Sequence, residues 1–99
     1  MRLAPDQIQA IKSVAHRVLG EDARVILFGS RTDDNKRGGD IDLLFETPHS
    51  VGNRATALGQ IYVALIRELG DRKVDLLLSD PDTPDSPVLR VARETGVLL

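Results

Sequence analysis

Three short apolar runs, set among stretches of helical periodicity and one polar loop, limit what this chain can fold into more than any other feature. "RVILFG" (24–29), "DIDLLFE" (40–46) and "KVDLLLS" (73–79) are each too short for a buried helix and rich in strand-forming residues. Ahead of them Ile8, Ile11, Val14, Ala15, Val18 and Leu19 recur at helical spacing, with Pro5 and Asp6 near the start and Gly20 after the end. From Asn53, the positions Ala55, Leu58, Ile61, Tyr62, Leu65, Ile66 and Leu69 repeat that pattern, and Gly70 closes it. A Pro/Asp-rich connection over 80–87 leads into a short last helix over 88–94, and the apolar "GVLL" after it either packs at home or joins an interface. The order α-β-loop-β-α-β-α predicts a small sheet of three or four strands covered by helices, an α/β or α+β layer architecture. That order alone leaves open which strands run parallel. With 99 residues, no internal repeat and no linker, the expectation is a single domain over 1–99.

Aspartate is depleted from strands, yet the second run carries two and the third carries one. Asp40 and Asp42 share one side of their strand, about 6.5–7 Å apart, with Ile41, Leu43 and Phe45 turned the other way. This predicts one acidic face and one apolar face. Asp75 points opposite Val74, Leu76 and Leu78 and is the third acid that the sheet can bring in. Converging carboxylates repel, and a hard divalent cation such as Mg²⁺ removes the conflict because it prefers oxygen ligands. Two such ions about 3.5–4 Å apart, bridged by Asp40 or Asp42, would clamp the attacking and leaving oxygens of a phosphate displacement. Gly29 and Ser30 close the first strand, where backbone N–H groups and a hydroxyl can hold phosphate oxygens. Arg31 is the first candidate for a charge-assisted phosphate contact. Lys36 and Arg37 stand behind it as loop charges whose field Asp33 and Asp34 dilute.

"GS", then "DID" ten residues after the serine, then a later strand aspartate, resembles the minimal nucleotidyltransferases of the DNA polymerase β superfamily. The resemblance spans nearly the whole chain, including the element order and the closing "RVARETGVLL". It implies a polymerase-β-like fold and transfer of a nucleoside monophosphate, AMP from ATP, to an acceptor with release of pyrophosphate. It further implies two Mg²⁺ ions held by Asp40, Asp42 and Asp75, the last as ligand or general base, and triphosphate held at Gly29 and Ser30. Gly39 departs from the serine that many members carry before the first metal-binding aspartate, which removes one hydrogen bond and leaves the metal set intact. Larger members carry an additional acceptor-binding domain for which 99 residues leave no space, so acceptor recognition is expected from elsewhere. Small members of this kind are often paired with a helical HEPN-domain protein, and some are antitoxins that attach AMP to a tyrosine of a HEPN ribonuclease. The implied partners are therefore an NTP and a HEPN-domain protein, with homo- and hetero-oligomers both open. The alternative is a non-catalytic module that grips a partner through its helical surfaces.

Several classes are excluded or unsupported. A net charge of −2, from 13 basic and 15 acidic residues, supplies no global positive field for long nucleic acids. The absence of cysteine removes disulfides and thiolate catalysis. No basic segment precedes an apolar leader and no run approaches the ~18 apolar residues of a membrane span, so the expectation is a cytoplasmic protein. P-loop, dinucleotide-binding and serine-hydrolase motifs are all missing from the chain. A lone D-x-D ordinarily marks a solvated strand edge, so the reading rests on the combination with the Gly-Ser turn, the spacing and the third acid. His16 and His49 have no second histidine at ligand spacing, and Tyr62, in the Leu58, Ile61, Leu65 series, is assigned to the core or to an interface.

Overall fold

The computed structural model describes residues 3–29, 41–70 and 72–99. Ser30, Arg31, Lys36, Arg37, Gly39 and Asp40 lie outside the described residues. Within them the elements run α1 (Pro5–Leu19), β1 (Arg24–Phe28), β2 (Ile41–Glu46), α2 (Arg54–Leu69), β3 (Val74–Ser79), α3 (Pro87–Thr95) and β4 (Val97–Leu98). The expected order is present, with one added strand at the end.

Each helix begins and stops for a local reason. Proline occupies the first turn of α1 and of α3, where its missing N–H costs nothing. The Gln7 side chain accepts from the Ala4 N–H at 2.9 Å, the Asn53 side chain accepts from the Thr56 N–H at 2.9 Å, and Ser86 plays that role for Leu89. Gly20 and Gly70 end α1 and α2 at φ values of 102° and 70°, which an L side chain resists.

The sheet order is β3-β2-β1-β4, with β1 antiparallel to β2 and to β4, and β2 parallel to β3 across the α2 crossover. Helices α1 and α2 cover one face, where Ile11, Val14, Ile61 and Leu65 meet Leu27, Ile41, Leu43 and Phe45. Side chains buried this completely each stabilise the fold by about 1.5–3 kcal/mol. Helix α3 covers part of the other face, where Leu89 and Ala92 pack on Ile26 and Leu44. The result is an α+β architecture of three layers around a mixed sheet, one of the two layer classes that the element order predicts.

One expectation needs correction, and two readings left open are narrowed. The face of β2 that carries Asp42 is not acidic throughout, because Leu44 on that face is fully buried under α3. Of the two places open to Tyr62, core or interface, the core is ruled out: Tyr62 and its neighbour Ile66 are 46% and 45% exposed, and the buried stripe of α2 runs Ala57, Ile61, Leu65 and Leu69. The apolar arc of α2 is thus wider than its buried stripe. The "GVLL" segment does pack at home, with Val97 and Leu98 opposite Leu27 and Ile26, and the Leu99 N–H donates to the Val25 carbonyl at 2.9 Å.

Candidate active site

On the α3 side of the sheet, beyond the part that the helix covers, one row of residues crosses three strands. Phe28 of β1 stands opposite Asp42 of β2, and Asp42 stands opposite Asp75 of β3. Neighbouring strands lie about 4.8 Å apart, so the two aspartates are adjacent on one face. Asp42 is 7% exposed, and Asp75 is open to solvent. The alternation predicted for β3 holds, since Val74 and Leu78 join the α1/α2 core while Leu77 packs toward α3.

Gly29 ends β1 against this row. Its φ is 68°, in the left-handed region that favours glycine, and a Cβ placed there would fall on Asp42 Oδ2. The turn therefore presses the backbone against a nearly buried carboxylate, and only a residue without a side chain permits the approach. Conformation and space make the same demand at one position.

Of the sequence-predicted site residues, Gly29, Asp42 and Asp75 come together, whereas Ser30, Arg31 and Asp40 lie outside the described residues. Like charges at adjacent strand positions destabilise a sheet unless something offsets them. The donor set offers carboxylate oxygens beside the apolar Phe28, Leu44 and Leu77 of the same face, which suits a hard divalent cation. Among the described residues no three His, Cys, Asp or Glu side chains gather as a metal-binding group. The carboxylate pair and the glycine cradle beside it fit such an ion in donor chemistry.

Sequence reasoning passed over two features near this end of the fold. A groove of about 370 Å³ lies between α2 and the β3 edge, lined by Leu58, Gly59, Tyr62, Val74, Asp75 and Leu76. Its signal was the tyrosine in an otherwise aliphatic series. Lys73, exposed at the head of β3, is the second, and its carbonyl accepts from the Ile41 N–H at 2.9 Å.

At the opposite end of β3 the connection read as a plain loop holds a polar knot. The Asp80 carboxylate, 1% exposed, accepts from the backbone N–H groups of Val51 and Asp82 and from the Thr83 hydroxyl, and it lies 3.1 Å from Arg54. The Val51 N–H foremost, then Thr83, Asp82 and Arg54, hold its carboxyl below the ordinary value of 3.8 against the opposing effect of burial. Asp85 is likewise lowered, chiefly by its hydrogen bond from Arg90. Arg93 ties α3 to the sheet through Glu46 at 2.7 Å and the Ser79 hydroxyl at 2.9 Å. An Asp-x-Asp-Thr run after a strand is the sequence signal for such an Asx-type turn. These groups are spent on structure and leave the Asp42 end as the candidate reactive site.

No helix among the described residues is long and apolar enough to cross a membrane. A family model described as a nucleotidyltransferase domain matches residues 8–94, a span that contains Gly29, Asp42 and Asp75. A search of curated proteins gives no significant match.

Proposed function

We infer, because the chain belongs to the nucleotidyltransferase domain family of the polymerase-β-like superfamily, that it transfers AMP from ATP to a hydroxyl group of a partner protein. Nucleotidyl transfer from an NTP, generally with divalent metals, is the activity of the family. The observation that supports placing the transfer at this site is the register Phe28–Asp42–Asp75 with Gly29 turned onto Asp42.

Asp40, Asp42 and Asp75 are the residues that would hold Mg²⁺, which when bound neutralises charge on the triphosphate and on the attacking and leaving oxygens. Asp42 is buried, and the Gly29 turn lies close against its carboxylate. The Gly29 and Ser30 backbone and the Ser30 hydroxyl hold phosphate oxygens, and Arg31 adds a charge-assisted contact. Asp75, open to solvent, accepts the proton of the incoming hydroxyl. The hydroxyl oxygen bonds to the α-phosphorus as the bond from that phosphorus to the bridging oxygen breaks, and pyrophosphate leaves with the electron pair.

The acceptor assigned here is a tyrosine of a HEPN-domain partner in the cytoplasm, which would make the chain an antitoxin. Its support is the chain's resemblance to small members of the superfamily that work in such pairs. A second reading, a non-catalytic module that binds its partner through helical surfaces, is favoured by Tyr62, Val63 and Ile66, which stand 46%, 51% and 45% exposed along α2.

Calorimetric titration of ATP with Mg²⁺ into the folded protein, beside Asp42→Asn and a metal-free control, tests the nucleotide site without knowledge of the acceptor. Metal-dependent binding that the variant loses supports it. Folded wild-type protein that binds no NTP, alone or in complex with its partner, overturns the catalytic reading in favour of the binding module.

A further inference from the structure

We propose that the outer edge of β3 takes up an extended segment of the acceptor protein as a fifth, antiparallel strand, and that the acceptor hydroxyl is carried at the position opposite Asp75. The fate of that hydroxyl rests on the nucleotidyl-transfer reading, whereas the pairing does not.

The backbone pattern of the parallel pair fixes what the edge offers. Ile41 and Thr47 donate to the Lys73 and Ser79 carbonyls at 2.9 and 3.0 Å, so the odd-numbered residues of β3 turn their N–H and C=O groups toward β2. Those of Val74, Leu76 and Leu78 consequently point outward. The Leu78 carbonyl is taken by Arg54 at 2.7 Å, while the outward groups of Val74 and Leu76 have no partner among the described residues.

The two edges of the sheet differ in kind. On the far side β4 is two residues long, the short edge by which proteins avoid adventitious pairing. Strand β3 is six residues, VDLLLS, with no proline and with Asp75 as its single charge. That open edge runs beside the groove of Leu58, Tyr62, Val74 and Leu76.

An antiparallel segment paired through Val74 and Leu76 would place its intervening residue opposite Asp75 at a non-hydrogen-bonded position, where facing side chains come closest. Its side chain would then extend the row Phe28–Asp42–Asp75 by one strand. The residues on either side would turn to the opposite face and enter the apolar groove. Lys73, exposed and without an acidic partner among the described residues, shares the face of Asp75 and would face the residue two positions beyond the hydroxyl. The occupant is thus an extended stretch reading apolar, hydroxyl, apolar, acidic. Transfer to it forms the bond from hydroxyl oxygen to α-phosphorus, breaks the bond to the departing pyrophosphate, and leaves the hydroxyl proton on Asp75.

The probe is a capped heptapeptide with isoleucine-tyrosine-isoleucine-glutamate at its centre, titrated into the ¹⁵N-labelled protein without nucleotide. The expected result is saturable shifts at the Val74 and Leu76 amides, weakened about tenfold or more when both isoleucine amides of the peptide are N-methylated. Lys73→Glu should weaken the glutamate peptide several-fold and prefer one with lysine in its place. Leu76→Pro, which removes an outward donor and no bond to β2, should abolish pairing, and Tyr62→Ala, an exposed change, should weaken it if the proline variant fails to fold. No binding at millimolar peptide, equal binding after N-methylation, or an edge sealed by a second copy of this chain overturns the proposal. Peptide binding by a protein that binds no ATP would remove the nucleotidyl-transfer reading and leave the edge; ATP binding without peptide pairing would do the reverse.

Discussion

Gly29 and Asp42 contest the same space, since the Cβ that any other residue would carry at position 29 falls on the Asp42 carboxylate. Gly29→Ala should therefore act twice. The left-handed φ of 68° costs an alanine roughly 1–2 kcal/mol, and the carboxylate must move besides. The expected outcome is a lowered melting temperature together with loss of metal-dependent ATP binding, whereas a variant that melts lower and binds ATP normally would detach the turn from the site.

Asp42 and Asp75 bring two carboxylates to adjacent positions of β2 and β3. Asp75→Asn, made on the exposed member, should leave the metal-free fold as stable as the parent or slightly more so, while weakening metal-dependent ATP binding roughly 10–100-fold, the scale of damage to a metal site. Thermal melts in chelator and titrations in Mg²⁺ separate the two effects. A large loss of stability in chelator would assign Asp75 a structural role.

Gly59 and Gly96 should respond oppositely to alanine. Gly59 lies inside α2 with nothing within 4 Å of an added Cβ, so Gly59→Ala should stabilise the helix by about 1 kcal/mol. Gly96 has an ordinary φ of −80°, but its Cβ would strike Ile26 and the Ala92 and Leu27 carbonyls. Gly96→Ala should cost about 1–3 kcal/mol by overpacking. Melting temperatures of the two variants, moving in opposite directions, check both.

The polar knot at Asp80 predicts an acid limb. Its carboxyl is lowered in the folded state, so the stability that it contributes is present above the unfolded value of 3.8 and is lost as the pH falls through the folded value below it. Asp85 adds in the same direction. Asp80→Asn should lower the melting temperature at pH 6 and flatten its decline below pH 4, as read by thermal melts across that range. A variant with an unchanged acid limb would show that other carboxylates govern it.

The helices, the three longer strands and the facing of Asp75 were legible because each rests on local periodicity that tertiary packing did not override. Strand β4 was not, since two residues cannot display an alternation. The exposure of Tyr62 and Ile66 was not either, because periodicity marks an apolar arc and cannot say how much of it a neighbouring helix will cover. Gly29 and Asp75 were each found as site candidates, but the contact of Gly29 with Asp42 and the register of Asp42 with Asp75 depend on strand order, which the order of elements left open. Asp80 was read as loop because its partners, Val51 and Arg54, lie far from it in sequence.

The parallel pairing of β2 with β3 has a consequence for how the site comes into being. Asp42 and Asp75 become neighbours only after α2 has crossed over the sheet and sunk Ile61 and Leu65 among Ile41, Leu43 and Phe45. The carboxylates are thus driven together by greasy side chains on the other face of the same strands. In a chain growing from its amino terminus, the two carboxylates can stand side by side only once β3 has been made and has joined the sheet.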